Sequence, residues 1–368
     1  MDNYKYKFDT PIEPEMWAEP GYDDDYAYSI AIIGDPQWIT CGDRFCGTRK
    51  LYQIFKYVAD TAEKRRVKHV FMLGDITDEG YHNDANLAYA HTPIPLTEEW
   101  ELAKEAVSLL DEKKIPYSLC RGNHDDYMID DYFNVPEYTD QFIGCGGFFT
   151  DSDGRHPERR EKLNPEGYIY WSAIRGHYES SIVNSYKEVD ILGTKYLFVT
   201  SDFNPNKAVA EWLDSLLTKY SDRKVILATH GFLTGHGVPI TTDAPDTMFP
   251  FEYPPSVLWE KVLSKHENLV MIISGHAGAP SLDIVHSFAT GVNGNRVLQL
   301  MVNPQNYDTK EKRDGTFTGK QDTGMVLYMN FSSDGETVTF NYYSTLLNKD
   351  LKDNDYVFNL GKDPKRIK

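Results

Sequence analysis

Cysteine is scarce in this chain: there are 4 in 368 residues, with no Cys-x-x-Cys pair. That density excludes a disulfide framework holding a small fold together, and it argues against a cysteine-based zinc site. Cys41 and Cys46 could pair with each other, or one of them with Cys145, while Cys120 ends an apolar run and reads as core. Long hydrophobic runs are missing too. The apolar stretches, such as LVMIISG at 269–275, have the length of strands, against the roughly 20 residues a membrane helix requires. No membrane span is expected. The N-terminal MDNYKYKFDTPIEPEMW lacks the apolar centre of a signal peptide. Positive charge is in deficit, 38 Lys and Arg against 56 Asp and Glu, a formal net charge of −18. Such a surface repels phosphate backbones and anionic headgroups, so no nucleic-acid partner is expected. A small phosphorylated substrate stays compatible, because a bound cation reverses the local field. There is no Gly-x-Ser-x-Gly and no Walker-type glycine loop. The acidic runs YDDDY and DDYMIDDY lack calcium-loop spacing and read as surface.

What is present is an alternation of short apolar runs with amphipathic segments. Residues 1–26, rich in Pro, Tyr and Asp and without a period, read as an extended N-terminal arm. YSIAII (28–33) is a strand, and 49–66 a helix with Leu51, Ile54, Phe55, Val58 and Ala62 on one face. HVFML (69–73) follows. A helix over 97–113, capped by Thr97, turns Leu102, Ala106, Val107 and Leu110 inward, and IPYSLC (115–120) is the next strand. Residues 126–180, with their Tyr, Phe, Gly and Pro and the basic run GRHPERREK, break the rhythm. They read as an insertion over the strand ends that, with the loop 231–255, shapes a pocket. YLFVTSD (196–202) resumes the core, before a helix with Val209, Trp212, Leu213, Leu216 and Leu217 on one face. KVILATH (224–230), a helix capped by Ser256, and LVMIISGH (269–276) come next. RVLQLMVN, GMVLYMNF and ETVTFNYY make the end β-rich, the last two joined by a Ser-Ser-Asp-Gly turn. The charged residues 346–368 read as a peripheral tail, which leaves 27–345 as one catalytic domain. Strands alternating with helices imply a sheet covered on its faces, with ligands beyond the carboxyl ends of the strands.

Five of these runs end in a residue that can bind a metal: Asp35, Asp75, Asn123 with His124, His230, and His276. One Gly-Asp after a strand is ordinarily a turn, and one Thr-His a core residue. The whole set, emerging at one sheet edge, is hard to explain as packing. The blocks read GDPQ (34–37), GDITD (74–78), GNHD (122–125), THG (229–231) and GHAG (275–278). On these blocks the chain resembles the calcineurin-like metallophosphoesterases, dinuclear-metal hydrolases of phosphate esters, over roughly residues 28–345.

The resemblance implies an α/β fold, a four-layer αββα sandwich of two mixed β-sheets flanked by helices. It assigns one metal to Asp75, Asn123, His230 and His276, and the other to Asp35, Gln37 and a bridging Asp75. The family pattern has histidines where this chain has Gln37 and Gly278. The second site is therefore oxygen-rich and short of a ligand, expected to exchange its ion easily. The implied cofactors are two divalent or trivalent ions of Mn, Fe or Zn. The implied reaction is phosphomonoester or phosphodiester hydrolysis by a hydroxide bridging metals about 3.5–4 Å apart. His124 would assist the leaving group, held by Asp125, with Asp78 as support behind the ligands. The alternative is a catalytically weak relative that binds or scaffolds: Gly278 favours it, while His124 and Asn123 count against it. The Gln-bearing first block is similar to that of secreted bacterial branches. That suggests a secreted or cell-surface protein whose signal has been removed, with a cytoplasmic one as the alternative.

Outside the blocks, His236 lies close enough in sequence to reach the site, and His286 is a candidate replacement imidazole. Arg155 and Arg159, in the basic run, are candidates for clamping a substrate phosphate, with a solvated face as the competing reading. No residue pattern speaks to oligomeric state.

Overall fold

The computed structural model describes residues 17–18, 26–40, 50–78, 96–125, 129–133, 147–148, 182–203, 205–241, 253–277, 284–304, 324–345, 348–351, 356–361 and 364–366. The first half of the chain supplies β1 (Trp17–Ala18), β2 (Tyr28–Ile33), α1 (Gln37–Thr40), α2 (Lys50–Thr61), β3 (Val67–Met72), α3 (Leu96–Lys113), β4 (Tyr117–Leu119), α4 (Ile129–Tyr132) and β5 (Gly147–Phe148). Then come β6 (Ser185–Ile191), β7 (Thr194–Ser201), α5 (Lys207–Lys219), β8 (Lys224–Thr229), α6 (Pro255–Lys261), β9 (Leu269–Ser274), β10 (Val285–Thr290) and β11 (Arg296–Met301). The chain closes with β12 (Met325–Phe331), β13 (Thr337–Ser344), β14 (Lys349–Leu351), β15 (Val357–Asn359) and β16 (Lys365–Arg366).

Among the described residues the strands form two mixed sheets. One runs β1-β14-β13-β12-β2-β3-β4, with β15 and β16 joined through β13; the other runs β10-β11-β9-β8-β7-β6-β5. β2, β3 and β4 are parallel, as are β7, β8, β9 and β11. Alternation along each strand makes the layers. Ile30 and Ile32 of β2 meet Ile226 and Ala228 of β8 in the core between the sheets. Ala31 and Ile33 turn instead to α2 and α3, and Val225 and Leu227 to α5 and α6. This is the αββα sandwich, and no described helix is long and apolar enough to cross a membrane.

The helices bury the expected stripes with local shifts. α2 buries Leu51, Ile54, Phe55 and Val58, and each such side chain contributes about 1.5–3 kcal/mol. α3 starts at Leu96, so Thr97 lies inside it rather than capping it, and Trp100 and Ala103 are buried where Leu102 is only half-buried. α6 starts at Pro255 with Pro254 at the cap position, not Ser256, because Pro fits the first turn without losing a hydrogen bond.

The last segment is not peripheral. Its β14 and β15 pair with β13 and drive Leu351, Phe358 and Leu360 into the inter-sheet core. Within the arm, β1 pairs with β14, Trp17 opposite Leu351. Cys120 is a buried free thiol, while Cys41, Cys46 and Cys145 lie outside the described residues.

Candidate metal centre

Asp35, Asp75 and Asn123 follow β2, β3 and β4, whereas His230 and His276 follow β8 and β9 of the other sheet. The expectation of one sheet edge is corrected: the donors converge where the carboxyl ends of two sheets meet. Sharp backbone turns aim them inward. Asp35, Asp75 and His276 have φ of 48°, 49° and 68°, in the left-handed region that side-chain-bearing residues adopt only when their surroundings enforce it. Cross-links between strand ends do the enforcing. His276 N donates to Asp35 Oδ1 at 2.9 Å, and His124 N to Asp75 Oδ1 at 2.9 Å. Gly122 is required by close approach, since a Cβ there would lie 2.1 Å from Asp75 Oδ1.

The electrostatics follow from one tautomer. His230 Nδ1 lies 2.8 Å from the Leu73 carbonyl oxygen, which can only accept, so Nδ1 carries the proton and the Nε2 lone pair faces inward. Nε2 stands 3.0 Å from Asn123 Oδ1 and 3.2 Å from Asp75 Oδ1. His276 Nδ1 is 2.7 Å from Asn123 Oδ1 and 3.2 Å from His230 Nε2. Such separations are the edges of a shell of donors about 2.0–2.2 Å from a common cation. Lone pairs facing one another in a buried pocket need a cation or a proton between them. Burial opposes a proton on His230, but the Asp75 carboxylate beside it prevails and pushes its pKa up to about 9. Burial and the neighbouring His230 hold His276 down at about 3.

Beside this group lies a second set of donors. Asp35 Oδ2 and Gln37 Oε1 are buried with no hydrogen-bond partner among the described residues. Gln37 Nε2 donates to Asp75 Oδ2 at 3.2 Å, and half a turn of the amide would bring Oε1 to that carboxylate instead. Burial raises the Asp35 carboxyl to about 8, with His230 opposing the shift and Asp75 adding to it. Unpaired buried acceptors are costly, and a cation among Asp35, Gln37 and Asp75 would satisfy all of them. The residues fit a metal on both sides of Asp75.

His124 stands at the rim, its side chain 28% exposed. Its Nδ1 is 3.1 Å from Asp78 Oδ1 and 3.2 Å from the Asp78 carbonyl oxygen. The partner of His124 is therefore Asp78, not Asp125. Asp125 turns inward and accepts from Ile76 N at 2.7 Å, Thr77 N at 2.9 Å and Gly122 N at 2.8 Å, tying the GDITD and GNHD loops together. Buried Glu99 in α3 accepts from Asp78 N at 2.7 Å, which anchors the residue that holds His124.

The family model for calcineurin-like phosphoesterases matches residues 28–280. The chain belongs to the calcineurin-like phosphoesterase family. That family is one of metal-dependent phosphoester hydrolases and generally uses a dinuclear centre. The uncharacterized protein YvnB of Bacillus subtilis (strain 168) is 24% identical over 223 residues, 60% of this phosphoesterase-family chain and 13% of YvnB. The chain thus spans a small part of that relative's length. Among solved structures, GAP50, the anchor in the inner membrane complex of Plasmodium, is similar at 14% identity and a TM-score of 0.43, over 91% of this chain and 89% of that one. Purple acid phosphatase PPD1 from yellow lupin (Lupinus luteus) seeds is similar at 12% identity and a TM-score of 0.41, over 89% and 53%.

Other candidates of this family member fall elsewhere. His236 is exposed in the turn 234–238, its backbone N–H donating to Thr234 Oγ1, and it is not among the converging donors. His286 packs edge-on against Tyr356 and Phe358, with ring centroids 5.7 and 5.0 Å away, so it serves the core rather than the ligand set. Arg155, Arg159 and Gly278 lie outside the described residues. Sequence reasoning missed Glu99, the Arg121–Asp202 ion pair and Phe203. Asp202 ends the apolar run YLFVTSD as Asp35 and Asp75 end theirs, and that was the available signal.

Proposed function

We propose that this chain hydrolyses phosphoric esters of small phosphorylated substrates, as a monoesterase or a diesterase. The observation that carries the reading is the convergence of Asp75, Asn123, His230 and His276 donor atoms beside the unpaired oxygens of Asp35 and Gln37. Two ions of the Mn, Fe or Zn class, held by these two donor sets, would supply Lewis acidity to the phosphoryl oxygens and acidify water.

The remaining work belongs to the chain. Asp35 Oδ1, by accepting from His276 N, keeps the two donor sets in one frame. Asp125 holds the loops that carry Asp75 and Asn123 in register. Burial works against a charge on His124, but Asp75 and then Asp78 outweigh it and push its pKa up to about 10. An imidazole at the rim, oriented through Nδ1 by Asp78, suits proton donation to a leaving alkoxide. A module that only binds or scaffolds has no use for a histidine set to donate.

Turnover of an aryl phosphate monoester and of the matching diester, each with Mn, Zn and Fe, tests this reading against a His124→Ala control. The expected result is metal-dependent turnover that the substitution lowers by about 10²-fold or more. Turnover no higher than that of His124→Ala in every metal would favour the scaffold.

A further inference from the structure

We infer that Phe203, held in place by the Arg121–Asp202 ion pair, is a positioning residue for both imidazole ligands. Its ring centroid lies 5.2 Å from that of His230 and 5.0 Å from that of His276, at interplanar angles of 63° and 52°. These are the offset and edge-on arrangements that ring quadrupoles favour. One buried ring thus packs against both ligands.

The two histidines do not need this brace equally. A metal-binding histidine ordinarily gives its other ring N–H to a carbonyl or carboxylate, which sets the ring's orientation. His230 does so through Leu73. Both polar contacts of the His276 ring run through Nδ1, the donor-side nitrogen, and its Nε2 meets no carbonyl or carboxylate among the described residues. The torsion that turns an imidazole is soft, and among the described residues the His276 ring is held by packing, to which Phe203 contributes beside His230. The neighbouring sequence makes room for it: a Cβ on Gly231, the residue after His230, would lie 2.9 Å from Phe203 Cε2.

The ion pair fixes where Phe203 stands. Phe203 N donates to Asp202 Oδ1 at 2.8 Å, and Arg121 Nε donates to the same oxygen at 2.9 Å. Arg121 Nη2 engages Asp202 Oδ2, and both side chains are buried. Arg121 follows β4 and directly precedes Gly122–Asn123, whereas Asp202 follows β7 of the other sheet. The pair therefore ties the strand end carrying Asn123 to the strand end that braces His230 and His276. Burying such a pair gains little stability over apolar packing; its value lies in register, and here the register is that of a donor set split between two sheets.

This inference rests on the reading that these donors take a cation, so its test reads binding rather than turnover. Co²⁺ affinity by equilibrium dialysis and the cobalt d–d absorption bands would be compared across wild type, Phe203→Leu and Phe203→Met. Phe198→Leu serves as the control, removing an equally buried ring of β7 that packs in the inter-sheet core. Both Phe203 variants should bind Co²⁺ about 10-fold more weakly with altered bands, the scale of losing a group that orients a ligand. Asp202→Asn should shift affinity in the same direction. Phe198→Leu should lower the melting temperature of the chelated protein while keeping wild-type affinity and bands. Unchanged binding in both Phe203 variants, or an equal loss in Phe198→Leu, would overturn the inference and leave the metal reading standing. No Co²⁺ binding by wild type would sink the metal reading and this inference with it.

Discussion

The two sides of the candidate centre share Asp75 and differ in nearly everything else. On one side an amide oxygen and two imidazole nitrogens meet the carboxylate, with the His230 tautomer locked by Leu73 and both rings braced by Phe203. On the other, the donors are oxygens alone, and Asp35 Oδ2 and Gln37 Oε1 are buried without hydrogen-bond partners among the described residues. Imidazole suits Zn and Fe, while carboxylate and amide oxygens suit harder ions such as Mn. The comparison predicts that, if both sides take cations, the nitrogen side holds its ion more tightly than the oxygen side, which would exchange with solution.

The most damaging change is the one that strikes both sides. Asp75→Asn should lower aryl phosphate turnover by about 10²–10³-fold, the scale of removing one group that stabilises reacting charge. It should also leave the dialysed protein without bound metal by elemental analysis. A variant that retained both ions would show that Asp75 is not shared.

A smaller effect separates the sides. Gln37→Ala should lose about 10-fold in turnover at limiting metal and recover as the divalent cation is raised, because mass action refills a weak site. His230→Ala should lose more and not recover over the same range. Equal losses with equal recovery would erase the distinction between nitrogen and oxygen sides. The same contrast requires that chelated, dialysed wild type need added metal for full activity.

The gentlest test uses pH. In the metal-free protein the His230 pKa lies near 9, so at pH 7 the proton is bound and competes with a cation for Nε2. Metal uptake at pH 7 should therefore release a proton. Affinity at the nitrogen side should rise by about tenfold per pH unit toward 9 and flatten above it. Calorimetric titrations in buffers of different ionisation enthalpy would detect the release; a heat independent of buffer would show that His230 is already neutral.

Much of this was legible along the chain because strands write themselves locally. Apolar runs of strand length, each ending in Asp, Asn or His, announced both the layered fold and the donors that the loops then gather. The tail was misread for the same local reason: KDL and VFN are too short for a periodic signal, and only their pairing with β13 gives them partners to bury against.

By itself, then, the sequence determined the donor types, their order and a sheet covered by helices, since those depend on residue chemistry and short-range periodicity, while the two-sheet sandwich was what the family resemblance implied. Tertiary structure decided which groups meet. It split the donors between two sheets, gave His124 to Asp78 while Asp125 clamps the loops, and set Phe203 against both imidazoles. Those pairings hang on the left-handed turns at Asp35, Asp75 and His276 and on the buried Arg121–Asp202 pair. Such conformations are imposed by neighbours far away in the chain, and no local pattern of residues encodes them.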